Sequence, residues 1–382
     1  MSSPDKVLRK KIAICHIVRD MQFLSRVAYD IVANQNNRVI VSLATNALTS
    51  FMVYESARFI RGSAPEYLDL ANVVLSEELT ASRHSVKLFD GDEAGYVGVS
   101  ALFEDGFLQA DREAFIESIG FAPLRAFGVD LGLTFLGGKL IYTTNALQFN
   151  LGLGPGAAYQ KDSGQRLMEM ARQCSQFATS IGSATGITGP GGSFVGRFDD
   201  SMFCARDTVA STFYVDLADP ALADGLSASL AAICGMLNTL TLMIGLDTSI
   251  DNGPTVTKLH FVVLWHGVRA LAEIQAKFGE FLSPASKAAL NQALNLGSAA
   301  VVLTDGDNRL RNALVHYGLN RHYPVAQLDP SRPLFGLVET VYPSLDYFEF
   351  QKIVYDATSR LAEVLNQWLQ ISPTIGRAAP RS

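Results

Sequence analysis

The sequence predicts a mainly helical α+β protein, in which an α+β N-terminal domain is followed by a C-terminal four-helix bundle. Three observations support this fold class. Apolar residues recur at helical spacing through most long segments, residues 129–149 alternate apolar and polar positions around a Gly-Gly pair, and four helical segments crowd the last third. The breaker Asp251-Asn252-Gly253-Pro254 separates the two parts. We therefore expect domains over 1–250 and 251–371 and a disordered tail over 372–382.

Two helices are predicted at the start of the chain. Residues 6–33 carry an apolar stripe between charged positions, which is typical of an amphipathic helix. Residues 39–60 predict a second, more buried helix, with a strand at 39–43 as the alternative. The alternating segment 129–149 predicts a hairpin with a Gly-Gly turn. The remaining predicted elements of this part are helices over 65–79, 112–119 and 163–181 and a strand over 208–217.

Residues 226–246 carry no charge over a length that can cross a bilayer. The segment also contains polar residues and glycines, and acidic residues flank it at Asp224 and Asp247, whereas membrane spans favour basic flanks. We interpret it as a buried helix, with a membrane span as the alternative.

Four helical segments make up the last third of the chain. Each has an apolar stripe, so together they can close a bundle. They cover residues 256–278, 284–302, 307–317 and 345–369.

Composition restricts the class of function. The chain of 382 residues is 48% hydrophobic and 18% charged, with a net charge of −6, which argues against a broadly basic nucleic-acid binder. Any RNA would have to meet a local basic cleft. The four cysteines have no metal-ligand spacing and the N-terminus does not resemble a signal peptide, so we expect a cytoplasmic protein without a metal or cofactor.

Two glycine-rich stretches resemble phosphate loops only in part. Residues 152–157 satisfy G-x-G-x-x-A, but the next predicted helix starts several residues too late for a dinucleotide site. Residues 182–196 lack the Gly-Lys-Ser/Thr end of a P-loop, and we expect a long mobile loop there. Asp199, Asp200 and Asp207 follow it; Mg²⁺ ligation is one interpretation and solvated turn charges the other.

The segment 308–318 carries the residues of greatest chemical interest: Arg311, Asn312 and His316. Residues 305–308 supply N-cap candidates and Gly318 a stop, so the segment predicts a short helix. At 3.6 residues per turn, Asn312 and His316 share a face, while Arg311 points about 140° away from His316. A second copy of the helix, related by a two-fold axis, can bring two such pairs into one cleft.

Arg-Asn-x-x-x-His, late in an all-helical module, resembles the signature of the HEPN superfamily (higher eukaryotes and prokaryotes nucleotide-binding domains). Many members are metal-independent endoribonucleases of toxin–antitoxin, phage-defence and RNA-processing systems. Some toxin members carry a tyrosine two places after the histidine, where this chain has Gly318. The resemblance covers about the last third of the chain and implies a HEPN-like bundle over 251–371; the role of 1–250 stays open.

The resemblance implies a ribonuclease that leaves 2′,3′-cyclic phosphate ends. His316 would move the ribose 2′-hydroxyl proton, Arg311 would neutralise the phosphate, and Asn312 would orient either group. Basic neighbours would bind RNA, and the expected partners are RNA, a second copy through the bundle and an antitoxin or regulatory protein, with no membrane. These RNA-binding candidates are Arg309, Arg321 and His322.

A second hypothesis belongs to another class of protein. The helical module would be a non-catalytic dimerisation or nucleotide-binding unit, and the N-terminal domain would sense a ligand or a protein. Arg311 would then form a surface salt bridge, and His316 would be a satisfied histidine between helices.

Overall fold

The chain opens with two long helices that pack against each other, α1 (Pro4–Ala33) and α2 (Arg38–Ser63). Both confirm the predicted helices, and the segment 39–43 is helical rather than a strand. They belong to a computed structural model that describes residues 4–34, 38–70, 76–86, 98, 100–215, 217–247, 249–295, 297–303, 308–319 and 323–374.

The helix predicted over 65–79 is divided into two pieces. A 3₁₀ helix covers Pro65–Leu70 and α3 covers Glu77–Ser85, with residues 71–75 outside the described part. Ser76 caps α3, because its hydroxyl accepts a hydrogen bond from the backbone N–H of Leu79 at 3.2 Å. The next helical stretch, α4, covers 102–117. It joins two π-helical pieces, Leu102–Leu108 and Glu113–Glu117, through Gln109–Arg112.

A small antiparallel sheet follows, and its hairpin confirms the prediction. Strands β1 (Leu131–Leu136) and β2 (Lys139–Thr143) flank a turn in which Gly137 and Gly138 have φ of +56° and +79°, a conformation that glycine adopts without strain. Strand β3 (Phe203–Thr208) pairs with the other edge of β1, which gives the order β2-β1-β3.

The strand predicted over 208–217 is wrong. Thr208 is the last residue of β3, and Ala210–Phe213 forms a helical turn. The Asp130 carboxylate accepts a hydrogen bond from the backbone N–H of Ala210 at 2.7 Å, which fixes the start of this turn. β3 is an edge strand held by backbone pairing to β1, so its polar sequence gave little apolar signal.

Three helices surround the sheet and the first helix pair: α5 (Thr144–Asn150), α6 (Ser163–Ala184) and α7 (Asp224–Leu242). Helix α6 confirms the prediction over 163–181 and packs against α1. Helix α7 lies so close to β2 that a Cβ at Gly235 would fall 2.6 Å from the carbonyl oxygen of Ile141. A glycine is therefore required at this crossing.

Among the described residues after 250, five helices are longer than four residues. The longest, α8 (Gly253–Phe278), starts at the predicted breaker. The other four are α9 (Pro284–Leu294), α10 (Arg309–His316), α11 (Leu337–Val341) and α12 (Tyr347–Leu369). Helix α9 is shorter than the helix predicted over 284–302 and is followed by the turns Gly297–Ala299 and Ala300–Leu303. Further 3₁₀ turns cover Ala122–Phe127, Ala157–Tyr159, Phe194–Arg197, Asp200–Met202, Ile244–Leu246, Val325–Gln327 and Pro333–Gly336.

The helices of the last third pack partly with each other and partly with the first 250 residues. α8, α9 and α12 contact one another, whereas α10 packs against α8 and α2, and α7 packs against α12. One hydrophobic core runs from Ile12 to Leu369. The division at residue 251 stays a prediction about folding units; in the folded chain both parts share this core.

Helix α7 and the following turn have the length and hydropathy of a membrane span over Asp224–Leu246, but 78% of the 18-residue apolar stretch within it is buried inside the protein. Asn238 on α7 and Asn366 on α12 exchange two amide hydrogen bonds, at 3.0 and 2.8 Å. The core helices of soluble proteins combine the same features, and the buried helix predicted over 226–246 is confirmed.

Candidate functional site

Helix α10, which carries the predicted motif, lies against α2 on one side and α8 on the other. Leu310, Ala313 and Leu314 are buried toward these helices, while Asn312 is exposed. The predicted helix ends need correction. Asn308 has a left-handed φ of +48° and makes no side-chain cap, and residues 305–307 lie outside the described part.

The predicted stop at Gly318 is off by one residue. Helix α10 ends at His316, and Tyr317 takes the left-handed conformation with φ of +57°. This conformation is strained for a tyrosine, so the surroundings must hold it in place. The buried Tyr317 hydroxyl donates to Asp20 at 2.6 Å, which supplies such a restraint.

His316 is held by a carboxylate from α2. Its Nδ1 lies 2.9 Å from Oε2 of Glu55, and the histidine side chain is 34% exposed while Glu55 is 2% exposed. Burial raises the pKa of Glu55, but the hydrogen bond and charge of His316 and the charges of Arg83 and Arg58 outweigh burial and lower it. Because an ionised carboxylate only accepts, Nδ1 carries the proton, and the basic lone pair of a neutral ring is on Nε2.

Arginines surround the same carboxylate. Arg83 forms an ion pair with Glu55, and the Arg58 guanidinium lies 3.9 Å from its other oxygen. The Arg83 side chain is 13% exposed and its guanidinium packs 4.2 Å from the Tyr54 ring centre. A histidine bound to a buried acid and bordered by arginines gives the local positive charge that an overall acidic protein needs to contact a phosphate.

Arg311 points to the opposite flank of α10. Its Nη1 donates to Oδ1 of Asn312 at 2.9 Å, and its Nη2 donates to Nε2 of His266 at 3.1 Å. The guanidinium lies 5.0 Å from the ring centre of Trp265, and Arg269 lies 4.6 Å from the same ring. Since arginine only donates, Nε2 of His266 must be unprotonated. Helix α8 thus orients the Arg311 side chain.

The structure therefore brings together only some of the predicted site residues. Arg311 and Asn312 share a hydrogen bond, whereas His316 binds Glu55 on the other flank of the exposed edge of α10. Arg309, half-buried, is the first residue of α10. The RNA-binding candidates Arg321 and His322 lie outside the described residues.

Sequence reasoning missed Glu55 and Arg83 as partners of the motif. It considered His266, beside Trp265, as a residue that packs in the bundle or faces the cleft, and left it outside the predicted site. Glu55 had a detectable signal. It is the only charged residue between Arg38 and Arg58, in a segment that predicts a buried helix. An isolated acid in such a helix requires a partner.

A buried polar network lies beneath the motif. Asp20 on α1 forms an ion pair with Lys258 on α8, and both side chains are fully buried. Asp20 also accepts a hydrogen bond from the Thr255 hydroxyl at 2.7 Å, in addition to that from Tyr317. Burial raises the pKa of Asp20, but the charge of Lys258 and the hydrogen bonds lower it below its ordinary value. Asp20 is therefore ionised and ties α1, α8 and the end of α10 together.

The second glycine-rich stretch, for which a long mobile loop is expected, is hydrogen-bonded to α1 at residues 191 and 193. Helix α6 extends through Ala184, and the Asp30 carboxylate accepts hydrogen bonds from the backbone N–H of Gly191 and from the N–H and hydroxyl of Ser193. Asp199, a candidate Mg²⁺ ligand, accepts from the N–H of Ser201 at 2.9 Å. Within the described ranges, no group of three or more His, Cys, Asp or Glu side chains can hold a metal ion.

Comparison with known proteins adds no relative. No family model matches this chain, and neither the curated proteins nor the solved structures contain a match. The function has to be argued from the site.

Proposed function

We propose that this chain is a metal-independent endoribonuclease of the HEPN type, acting in the cytoplasm in phage defence, a toxin–antitoxin pair or a stress response. The observation that carries the proposal is the Glu55–His316 hydrogen bond of 2.9 Å at a half-exposed imidazole. A carboxylate on Nδ1 fixes the tautomer and leaves the lone pair on Nε2 to accept a proton, which is what a general base requires.

In the proposed reaction, Nε2 of His316 takes the proton of a ribose 2′-hydroxyl. The 2′-oxygen attacks the adjacent phosphorus and the bond from phosphorus to the 5′-oxygen breaks. The leaving 5′-oxygen takes a proton from water, and His316 returns its proton to the solvent. The products therefore carry a 2′,3′-cyclic phosphate and a 5′-hydroxyl. Arg311 would stabilise the charge on the phosphate oxygens with its two-pronged guanidinium, and Asn312 would position that guanidinium.

Because Arg311 and His316 are separated within one subunit, the proposed reaction requires a second subunit. Within one subunit they flank the exposed edge of α10, about 140° apart around its axis. A second copy placed across this edge would set the arginine of one subunit beside the histidine of the other. We therefore propose a homodimer in which the exposed Asn312 lies at the contact, and an antitoxin or regulatory protein as a further partner.

The test measures cleavage of single-stranded RNA in EDTA by the wild-type protein and by Arg311→Ala and His316→Ala. Removing a general base typically reduces the rate by about 100-fold or more. Arg197→Ala is the matched control, because Arg197 is exposed and distant in sequence from the motif. Product ends are identified by labelling the 5′-hydroxyl with a kinase. No cleavage, or equal cleavage by all four proteins, would refute the proposal.

One observation favours the alternative of a non-catalytic dimerisation or nucleotide-binding module with a sensing N-terminal part. Arg311 is already engaged by His266, Asn312 and the Trp265 ring, as a structural arginine would be. Expression of the protein in a host discriminates the two functions. A nuclease arrests growth unless His316 is changed, whereas a binding module is tolerated.

A further inference from the structure

A cleft of about 310 Å³ opens far from the motif, between the N-terminal ends of α8 and α12. Its volume is at the lower end of the range that is typical of small-ligand sites. Pro254 lines it, and twelve residues of α8, about 18 Å, separate Pro254 from His266. Its lining is mainly aromatic and apolar, with a carboxamide and a carboxylate. We call it the α8 cleft; its principal lining residues are Gly245, Asp247, Ile250, Phe348, Gln351 and Tyr355.

A buried histidine, His260, lies directly behind this cleft. His260 is 2% exposed, and neither ring nitrogen has a partner within the part of the chain that the structure describes. Its ring lies 4.4 Å from that of Tyr355, and its Nε2 is 3.2 Å from where a Cβ of Gly245 would stand. Both neighbours line the cleft. Buried polar atoms without partners are rare in folded proteins, so the two ring nitrogens indicate hydrogen bonds that the described residues do not supply.

The walls of the cleft select for a flat, neutral ring. The Phe348 ring is 69% exposed at the mouth of the cleft and offers a stacking surface. The Gln351 amide group donates to Thr257 at 2.8 Å and to Tyr347 at 3.1 Å, which leaves its carbonyl oxygen as an acceptor.

Charged ligands fit the cleft less well. The Asp247 carboxylate would repel an anion. A cation would meet this carboxylate alone, because Asp247 is the one charged residue among the described lining residues, and its oxygens already accept hydrogen bonds from the N–H and hydroxyl of Ser249 and from the Asn252 amide at 2.8 to 3.2 Å. A neutral nitrogen heterocycle matches the aromatic wall and the free acceptor together.

From this geometry we infer that the α8 cleft binds a nucleobase, stacked on Phe348 and hydrogen-bonded to Gln351, with its inner edge toward Gly245 and His260. The base belongs either to a free nucleoside or to a single-stranded RNA. The inference does not depend on RNA cleavage, because the cleft contains none of the motif residues.

Calorimetric titration of the full chain tests the inference. One set of titrations uses adenosine, guanosine, cytidine and uridine separately, at up to about 1 mM. The other uses a six-nucleotide 2′-O-methyl RNA, which has no free 2′-hydroxyl and is not cleaved. Binding in the first set identifies a free-nucleoside site. Binding in the second set alone identifies a site for a base within a strand when Phe348→Ala weakens it, because the proposed nuclease site also holds RNA. No binding in either set overturns the inference.

Variants locate the binding. Phe348→Ala should weaken it about ten-fold through the lost stacking, and Gln351→Leu should weaken it through the lost acceptor. Phe281→Ala is the matched control, because Phe281 is 71% exposed and follows the opposite end of α8. Equal affinity of Phe348→Ala and Phe281→Ala for the bound probe would overturn the inference.

Discussion

Two histidines that are buried in the neutral form make the stability of this protein depend on pH. Burial lowers the pKa of His260 from 6.5 to about 3, and burial together with the charge of Lys258 lowers the pKa of His16 to about 3. In the unfolded chain both rings titrate near 6.5. The unfolded state therefore binds more protons between pH 6.5 and 3, and the free energy of unfolding decreases as the pH falls through this window.

The size of this effect follows from the same values. Each pH unit below 6.5 removes about 1.4 kcal/mol per histidine, so each ring removes about 2 kcal/mol between pH 7.5 and pH 5. His260 is the cleaner test, because burial is the cause of its shift. Replacing it with leucine removes the titrating group. We expect His260→Leu to lose about 2 kcal/mol less stability than the wild type over this pH change.

Urea unfolding at pH 7.5 and pH 5.0, followed by circular dichroism, measures the difference. Val263→Ala is the control, since Val263 is a fully buried, non-titrating residue on the same helix as His260. It should reduce stability by the same amount at both pH values. If the wild type and His260→Leu lose equal stability between pH 7.5 and pH 5.0, His260 is not neutral in the folded protein and the reasoning is wrong.

Three further perturbations follow from the fold. Lys258→Met leaves the ionised Asp20 buried without its cation and should reduce the free energy of unfolding by roughly 3–5 kcal/mol in urea titrations; a double variant that also carries Asp20→Asn should recover part of the loss. Asp30→Ala removes the acceptor that holds the backbone of 191–193, and limited proteolysis should cut this loop faster than in the wild type, with melting nearly unchanged. Trp368→Phe removes the indole donor to a buried carbonyl oxygen at 3.0 Å and should destabilise the protein by about 1–3 kcal/mol in urea titrations.

The long helices were predictable because their signal is local. An apolar stripe continued over 20 or more residues, as in residues 256–278 and 345–369, has no other simple interpretation, and the structure has helices there. The Gly137-Gly138 hairpin was equally local. The edge strand Phe203–Thr208 was missed because backbone pairing to β1 holds it, and such pairing leaves no periodic apolar trace.

The packing partners could not be read from spacing. Helix α10 packs on α2, more than 240 residues earlier in the chain, and the Glu55–His316 contact depends on that crossing. The sequence does mark the buried charges. Glu55 and Lys258 each stand alone among uncharged residues of a predicted helix, and both have charged partners in the structure. The identity of the partner, however, depends on the tertiary packing and cannot be predicted from spacing along the sequence.

The contact between α7 and α12 bears on how the chain is made. A ribosome that has completed residue 300 has released the most apolar helix of the protein, but the helix that covers it, Tyr347–Leu369, has not yet been synthesised. Until residues 347–369 emerge, α7 presents a surface that chaperones and membrane-insertion machinery recognise by its hydropathy. Loss of the last helix through a premature stop codon would therefore leave a fragment that aggregates or is degraded, rather than a shorter folded protein.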